Sequence, residues 1–263
     1  MHPLCPDRTA ALVIAHPGHE LRVYHWLSLV HPYVFVLTDG SGHSRKSRLH
    51  RTTCILNSLA ARQGSVYGRL SDVEIYSAIL ARDVGPFIGM AAELAEALVR
   101  YRIEYVVGDA IEGYNPAHDV CRLVINAAVG KACQMGHCVE NYDVMVAYKL
   151  GDDVLAGMTG IISIAPDEQM RAAKLQAARD YSELEVDVSR ILAEEGIASL
   201  DTEYLCPVNQ DSYQRLLEEP PYYEAYGERQ VAAGRYQQVI RYRDHILTIG
   251  DALQEFSRGI AGR

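Results

Sequence analysis

The stretch ALVIAHPGHE, residues 11–20, constrains this chain more than any other: an apolar run stops abruptly at two histidines, His16 and His19, with Pro17 and Gly18 between them. Apolar, β-compatible residues bounded by a Pro-Gly turn read as a buried strand. The carboxyl end of that strand opens into a loop, and open α/β sheets hold their ligands in the crevice outside the carboxyl ends of their strands. Chemistry is therefore expected at His16 and His19.

Two imidazoles in an H-x-x-H turn can be aimed at one point, and imidazole is the commonest protein ligand for zinc and similar metals. A third ligand has to come from elsewhere. The segment EYVVGDAIEGYNPAHDVCR, residues 104–122, repeats the layout: Tyr105 to Val107 form a strand signal, Asp109 ends it, a Gly/Asn/Pro loop follows and His118 begins a helical pattern. Both histidine clusters are then expected at the carboxyl ends of parallel strands, which makes His16, His19 and His118 a candidate triad. Each of the three taken singly also has an ordinary structural reading, because sequence alone cannot show convergence.

AHPGHE resembles the AHPDDE motif of the PIG-L (LmbE-like) zinc deacetylases, and NPAHD resembles their second motif, HPDH. The order and context match from about residue 10 to residue 130, including a second strand with a polar glycine loop, VFVLTDGSG. The resemblance implies a metal held by His16, His19 and His118, either Zn2+ or another first-row divalent ion. It also implies a hydrolase acting on an N-acyl amine. Two departures matter: the family's general base falls at Gly18, which cannot take a proton, and the first His of HPDH is replaced by Asn115.

Asn115, with Tyr114 beside it, can still donate a hydrogen bond to a developing oxyanion, but it has no proton to give to a leaving amine. Glu20, Asp39, Asp109, Asp119 and His245 are the candidates for the missing acid-base role, with Asp109 and His245 leading. Asp39 or Asp109 could equally hold a metal-bound imidazole in its tautomer. The segment SVYGRLSDVEIY, residues 65–76, reads as a substrate-contacting loop in which Arg69 and Asp72 offer a donor and an acceptor to hydroxyl groups.

Strand signals at 10–16, 33–38, 103–109 and 142–148 alternate with helical runs near 19–30, 46–63, 86–101 and 117–136. This alternation indicates an α/β, three-layer Rossmann-like fold with a mostly parallel sheet. A dinucleotide-binding fold would carry G-x-G-x-x-G after its first strand, where this chain has His-Pro-Gly-His. Residues 151–166 combine turn and β-compatible residues and suit further strands or a hairpin, and a long helix is expected from about 166 to 195. The expected organisation is an α/β metal-hydrolase domain over 1–200 and a tyrosine-rich extension over 201–263 packing on it. Its tyrosines, Tyr204, Tyr213, Tyr222, Tyr223, Tyr226, Tyr236 and Tyr242, suit packing, polar-ligand contact or a homo-oligomer interface.

A formal net charge of -9 argues against a nucleic-acid partner, which needs clustered Lys and Arg. No apolar stretch reaches the ~18 residues expected of a membrane span, and the first residues lack a signal-peptide pattern, so a cytoplasmic location is expected. The six cysteines are expected to be reduced core residues. Cys133, His137 and Cys138 form a C-x3-H-C cluster that lacks a second pair of ligands. The expected function is removal of an acyl group, acetyl by the resemblance, from a small molecule such as an N-acetylamino sugar or sugar-bearing metabolite. The alternatives are cleavage of a different carbon-nitrogen bond and a non-catalytic descendant that binds metal and sugar.

Overall fold

The computed structural model describes residues 8–147, 151, 155, 157–184, 202–208 and 219–259. Seven strands form the sheet: β1 (Ala10–Ile14), β2 (Tyr33–Thr38), β3 (Arg62–Leu70), β4 (Tyr105–Asp109), β5 (Glu140–Val144), β6 (Ile162–Ile164) and β7 (Glu203–Pro207). Their order is β3-β2-β1-β4-β5-β7-β6. The first five run parallel, β7 returns antiparallel to β5, and β6 pairs antiparallel with β7. Among the described residues the α-helices are α1 (Tyr24–Val30), α2 (Leu49–Ser58), α3 (Asp72–Ala81), α4 (Gly85–Arg100), α5 (Pro116–Gln134), α6 (Glu168–Asp180), α7 (Tyr222–Ala232) and α8 (Leu247–Ser257). The chain is thus α/β with a mostly parallel sheet between helices.

Two-residue alternation along the central strands builds both faces. Ala11 and Val13 of β1, Phe35 of β2 and Val106 of β4 share one core with α4, α5 and α8 through Phe87, Leu94, Val120, Val124 and Leu253. Leu12 and Ile14, Val34 and Val36, and Tyr105 and Val107 face the other core, which holds Trp26, Leu27 and Leu56. Fully buried parallel strands need apolar residues on both faces, which is why β1 and β2 read as continuous hydrophobic runs. The sheet order reverses between β1 and β4, and their carboxyl ends carry the two histidine segments. A crevice at such a switch point is where open α/β sheets bind ligands.

Some expectations need correction. Residues 65–76, expected as a loop, are divided between strand β3 and the start of α3: β3 lies at the sheet edge and is largely exposed, so it lacks the apolar signature of its neighbours. Of residues 151–166, expected to form further strands or a hairpin, Ile162–Ile164 form strand β6, whose partner is β7 some forty residues later. The expected helix from 166 to 195 is α6, which stops at Asp180 and is followed by a 3-10 turn at Ser182–Leu184; residues 185–201 lie outside the described residues, as does Tyr213. Nor are all the cysteines in the core: Cys121 and Cys206 are buried, whereas Cys54, Cys133 and Cys138 are exposed. No helix among the described residues is long and apolar enough to cross a membrane.

Candidate functional site

Local chemistry presents each histidine. After β1, Thr38 at the end of β2 donates both its backbone N–H and its hydroxyl to the Ala15 carbonyl, at 2.9 and 3.0 Å, which fixes where the strand stops. Gly18 then takes a left-handed conformation, φ 110°, and the chain turns into the short 3-10 segment His19–Val23. A residue with a Cβ is strained there. Glu20, fully buried, closes this turn by accepting the Gly18 N–H at 2.7 Å and the Thr52 hydroxyl at 2.8 Å. On the other segment, Asn115 caps α5 by accepting the Ala117 N–H at 2.9 Å, with Pro116 at the first helical position. His118 therefore lies in the first turn of α5.

The three imidazoles converge. Ring centroids lie 5.4 Å apart for His16 and His19, 5.3 Å for His16 and His118, and 4.4 Å for His19 and His118. The His16 Nδ1–H is shared between Thr38 Oγ1 at 2.8 Å and Asp72 Oδ1 at 3.0 Å. His19 donates from Nδ1 to Asp109 Oδ2 at 2.8 Å. Carboxylates that hold Nδ1–H leave Nε2 as the lone-pair nitrogen. His16 Nε2 and His118 Nδ1 are both buried and have no hydrogen-bond partner among the described residues.

Buried nitrogens without partners are costly in a folded protein unless a ligand completes them. Three neutral imidazoles are also a donor set that zinc and neighbouring first-row ions accept. The residues fit a metal in these two respects. Among the described residues, no three His, Cys, Asp or Glu groups already stand in chelating geometry, so the rings must adjust to take one ion.

The electrostatics favour the neutral forms of His19 and His118. Burial lowers the His19 pKa against the opposing pull of Asp109, and burial together with the two neighbouring rings holds His118 well below the usual imidazole value. Burial pushes the Asp72 carboxyl up, but the hydrogen bond and attraction of His16 and the hydrogen bond from the Gly42 N–H outweigh it and keep Asp72 well below the ordinary carboxylate range. Asp72 is thus an ionised partner for His16.

Several expected roles change. Asp72 is the first residue of α3, is buried, and backs His16; it is not a loop acceptor open to ligand hydroxyls. Arg69 is in β3 and its guanidinium is occupied by Glu93 at 2.6 Å on the exposed surface. Asp109, fully buried, accepts the Ala15 N–H as well as the His19 Nδ1–H, so it orients His19 and ties β4 to β1. His245 lies in a π-helical turn, Tyr242–Ile246, where its Nδ1 bonds the backbone of Arg241, the residue that caps the turn. Asp39 accepts the Ser41 N–H in a local turn. Asp119 accepts the N–H groups of Glu112 and Gly113 and so folds the loop that carries Tyr114 and Asn115.

Sequence reasoning missed Tyr76 and Thr38. Tyr76, on α3, donates its hydroxyl to Asn115 Oδ1 at 3.0 Å. With the Ala117 N–H on the same oxygen, the Asn115 carbonyl is fully engaged and its NH2 group remains as donor. Nothing local to Tyr76 signals this, since the partner is 39 residues away. Tyr114 is exposed and stacks on Tyr222 of α7 with centroids 5.3 Å apart; Tyr226 and Tyr236 continue the row, and Arg229 lies over Tyr222 and Tyr226. The Tyr223 N–H bonds the Gly113 carbonyl and seats α7 against the same loop. A groove of about 640 Å³ between α5 and α8 lies elsewhere, and none of the three histidines lines it.

No family model matches this chain, and no curated protein sequence does. Solved structures do. A deacetylase of the A40926 pseudoaglycone, Dbv21, aligns over 78% of this chain and 98% of its own at 18% identity, with a TM-score of 0.52. A deacetylase in complex with teicoplanin aligns over 77% of this chain and all of its own at 15% identity and a TM-score of 0.47. The conserved protein TT1542 from Thermus thermophilus covers 76% of this chain at 14% identity and a TM-score of 0.45, with 93% of its own length aligned. At this identity the match to Dbv21 establishes the shared fold.

Proposed function

We propose that this chain is a metal-dependent hydrolase that removes an acyl group, acetyl foremost, from an N-acyl amine such as an N-acetylamino sugar or sugar-bearing metabolite. The observation that carries this reading is the convergence of His16, His19 and His118, with Asp72 and Asp109 holding Nδ1 of the first two rings. The fold shared with Dbv21, itself described as a deacetylase, supports it.

His16, His19 and His118 would hold the ion, zinc or another first-row divalent metal. When bound, such an ion supplies Lewis acidity toward a carbonyl oxygen and lowers the pKa of water toward neutrality. The chain's own residues do the rest. Asp72 and Asp109 fix ring orientation and tautomer. Asn115, with its carbonyl engaged by Tyr76 and Ala117, turns its NH2 toward use as an oxyanion donor, worth a factor of about 100–1,000 in comparable sites. The row Tyr114, Tyr222, Tyr226 and Tyr236 forms a rim next to Asn115 on which the rest of the substrate can rest. Asp109 Oδ2 is taken by the Ala15 N–H and His19, and His245 Nδ1 by the Arg241 backbone, so this reading assigns them the orientation of their neighbours and not the proton transfer.

One observation favours a second reading, binding without turnover. Position 18 has no side chain, and Glu20, Asp72 and Asp109 are each committed to hydrogen bonds. Purified chain loaded with Zn2+ and offered a panel of N-acetyl sugars separates the two. Acetate release that is lost in His16→Ala and His118→Ala supports the hydrolase. Metal retention with saturable sugar binding and no acetate supports the binding protein.

A further inference from the structure

The carboxyl end of α5 carries a pair of thiols, and the way the helix ends brings them together. Gly136 adopts a left-handed conformation, φ 86°, just past the helix. Its N–H bonds the Cys133 carbonyl at 3.0 Å, and the His137 N–H bonds the Ala132 carbonyl, also at 3.0 Å. This pair of bonds is the Schellman ending, in which a glycine reverses the chain over the last helical turn. His137 then anchors the turn to the segment that leads into β4, its Nε2 lying 2.7 Å from the Ile103 carbonyl. The reversal places Cys138 over Cys133.

The two Sγ atoms are 2.7 Å apart, and both residues are exposed. Thiols with no other role are ordinarily buried and inert, and reactivity follows exposure. A resolving cysteine held beside an exposed one is the arrangement of a redox-responsive pair. The separation in sequence is five residues, so closing the ring adds little loop entropy beyond what the turn has already fixed.

We propose that Cys133 and Cys138 are a dithiol site that reacts with small-molecule disulfides and closes to an intramolecular disulfide across the end of α5. One cysteine loses its proton and its sulfur attacks a sulfur of the reagent RSSR; the reagent's S–S bond breaks and one RSH leaves with that proton. The second cysteine, deprotonated in turn, attacks the protein sulfur of the mixed disulfide, and the second RSH departs. Two protein thiols are oxidised and one disulfide is reduced to two thiols. The neighbouring Cys138 sulfur holds the Cys133 thiol above its usual pKa, so the first step accelerates as pH rises.

The test uses the full chain, reduced and then exposed to oxidised glutathione, with exposed Cys54 as an internal standard. Trypsin releases residues 132–149 as one peptide containing both cysteines. The expected result is that this peptide loses two hydrogens and carries no glutathione, while the Cys54 peptide keeps a glutathione adduct. In Cys133→Ser and in Cys138→Ser the remaining cysteine should retain the adduct. Gly136→Val should slow ring closure about tenfold without changing the rate at Cys54, because a residue with a Cβ resists the left-handed turn. A stable glutathione adduct on the wild-type peptide, or unreacted thiols there while Cys54 is modified, overturns the proposal. Closure that is indifferent to Gly136→Val overturns the part assigned to the helix ending.

Discussion

The His19 ring stands on the Asp109 carboxylate, Nδ1 to Oδ2 at 2.8 Å, and the same oxygen accepts the Ala15 N–H at 2.8 Å. One carboxylate at the end of β4 therefore sets both the tautomer of His19 and the path of the chain leaving β1. Ring orientation and strand ending are coupled through a single atom.

That coupling predicts the behaviour of Asp109→Asn. An amide oxygen in the place of Oδ2 can keep both bonds, but the neutral amide no longer supplies the negative charge that raises the basicity of the His19 ring. Zinc affinity is expected to fall about 10–100-fold with the fold retained. Titration with a competing chelator, alongside circular dichroism, measures it; an unchanged affinity would remove Asp109 from the site.

Gly18→Asp, which would restore the acidic residue of the resembling motif, is expected to harm the protein. The backbone there has φ 110°, and an added Cβ meets Leu184 Cδ1 at 2.5 Å. The conformational part costs about 1–2 kcal/mol, and trimming Leu184 to Ala relieves only the contact. Urea unfolding of Gly18→Asp and of the double variant separates the two parts. A stable Gly18→Asp chain with increased acetate release would show that the turn accepts a base after all.

Tyr76→Phe isolates the orientation of Asn115. Loss of the hydroxyl leaves the fold weaker by roughly 0.5–1.5 kcal/mol, the net value of one hydrogen bond, and frees the amide to rotate. Acetate release should then slow through kcat with little change in KM, because the donor is aimed at the transition state. A change confined to KM would place Tyr76 in substrate binding instead.

Arg122 is the buried strut behind the site. Only 1% exposed, it donates to the Asp109 carbonyl at 2.7 Å, to Asn141 Oδ1 at 2.8 Å and to the Tyr142 carbonyl at 3.0 Å, and it lies 2.7 Å from the Asp143 carboxylate. Arg122→Ala strands Asp143 and is expected to cost about 3–5 kcal/mol. Adding Asp143→Asn should recover part of it, since the uncompensated charge is then gone. Denaturant midpoints of the two variants check the sign; a double variant no more stable than the single one would assign the loss to the backbone hydrogen bonds.

The sequence by itself determined what depends on near neighbours. The apolar runs of β1 and β4, the Pro-Gly and Asn-Pro turns after them and the alternation with helical patterns put His16 and His19 just past one strand and His118 at the start of the helix that follows another, within a mostly parallel α/β sheet. These signals are local, because strand periodicity, turn chemistry and capping act over a few residues. Edge strand β3 escaped because its exposed residues need not be apolar. Tertiary structure alone decided the partners: Asp72 reaches His16 across 56 residues, Tyr76 reaches Asn115 across 39, and Asp109 reaches His19 across 90. It also gave His245 to its own turn and the Arg69 guanidinium to Glu93. Such pairings follow from strand order and register, which the whole core selects when it packs, and no spacing in the chain records them.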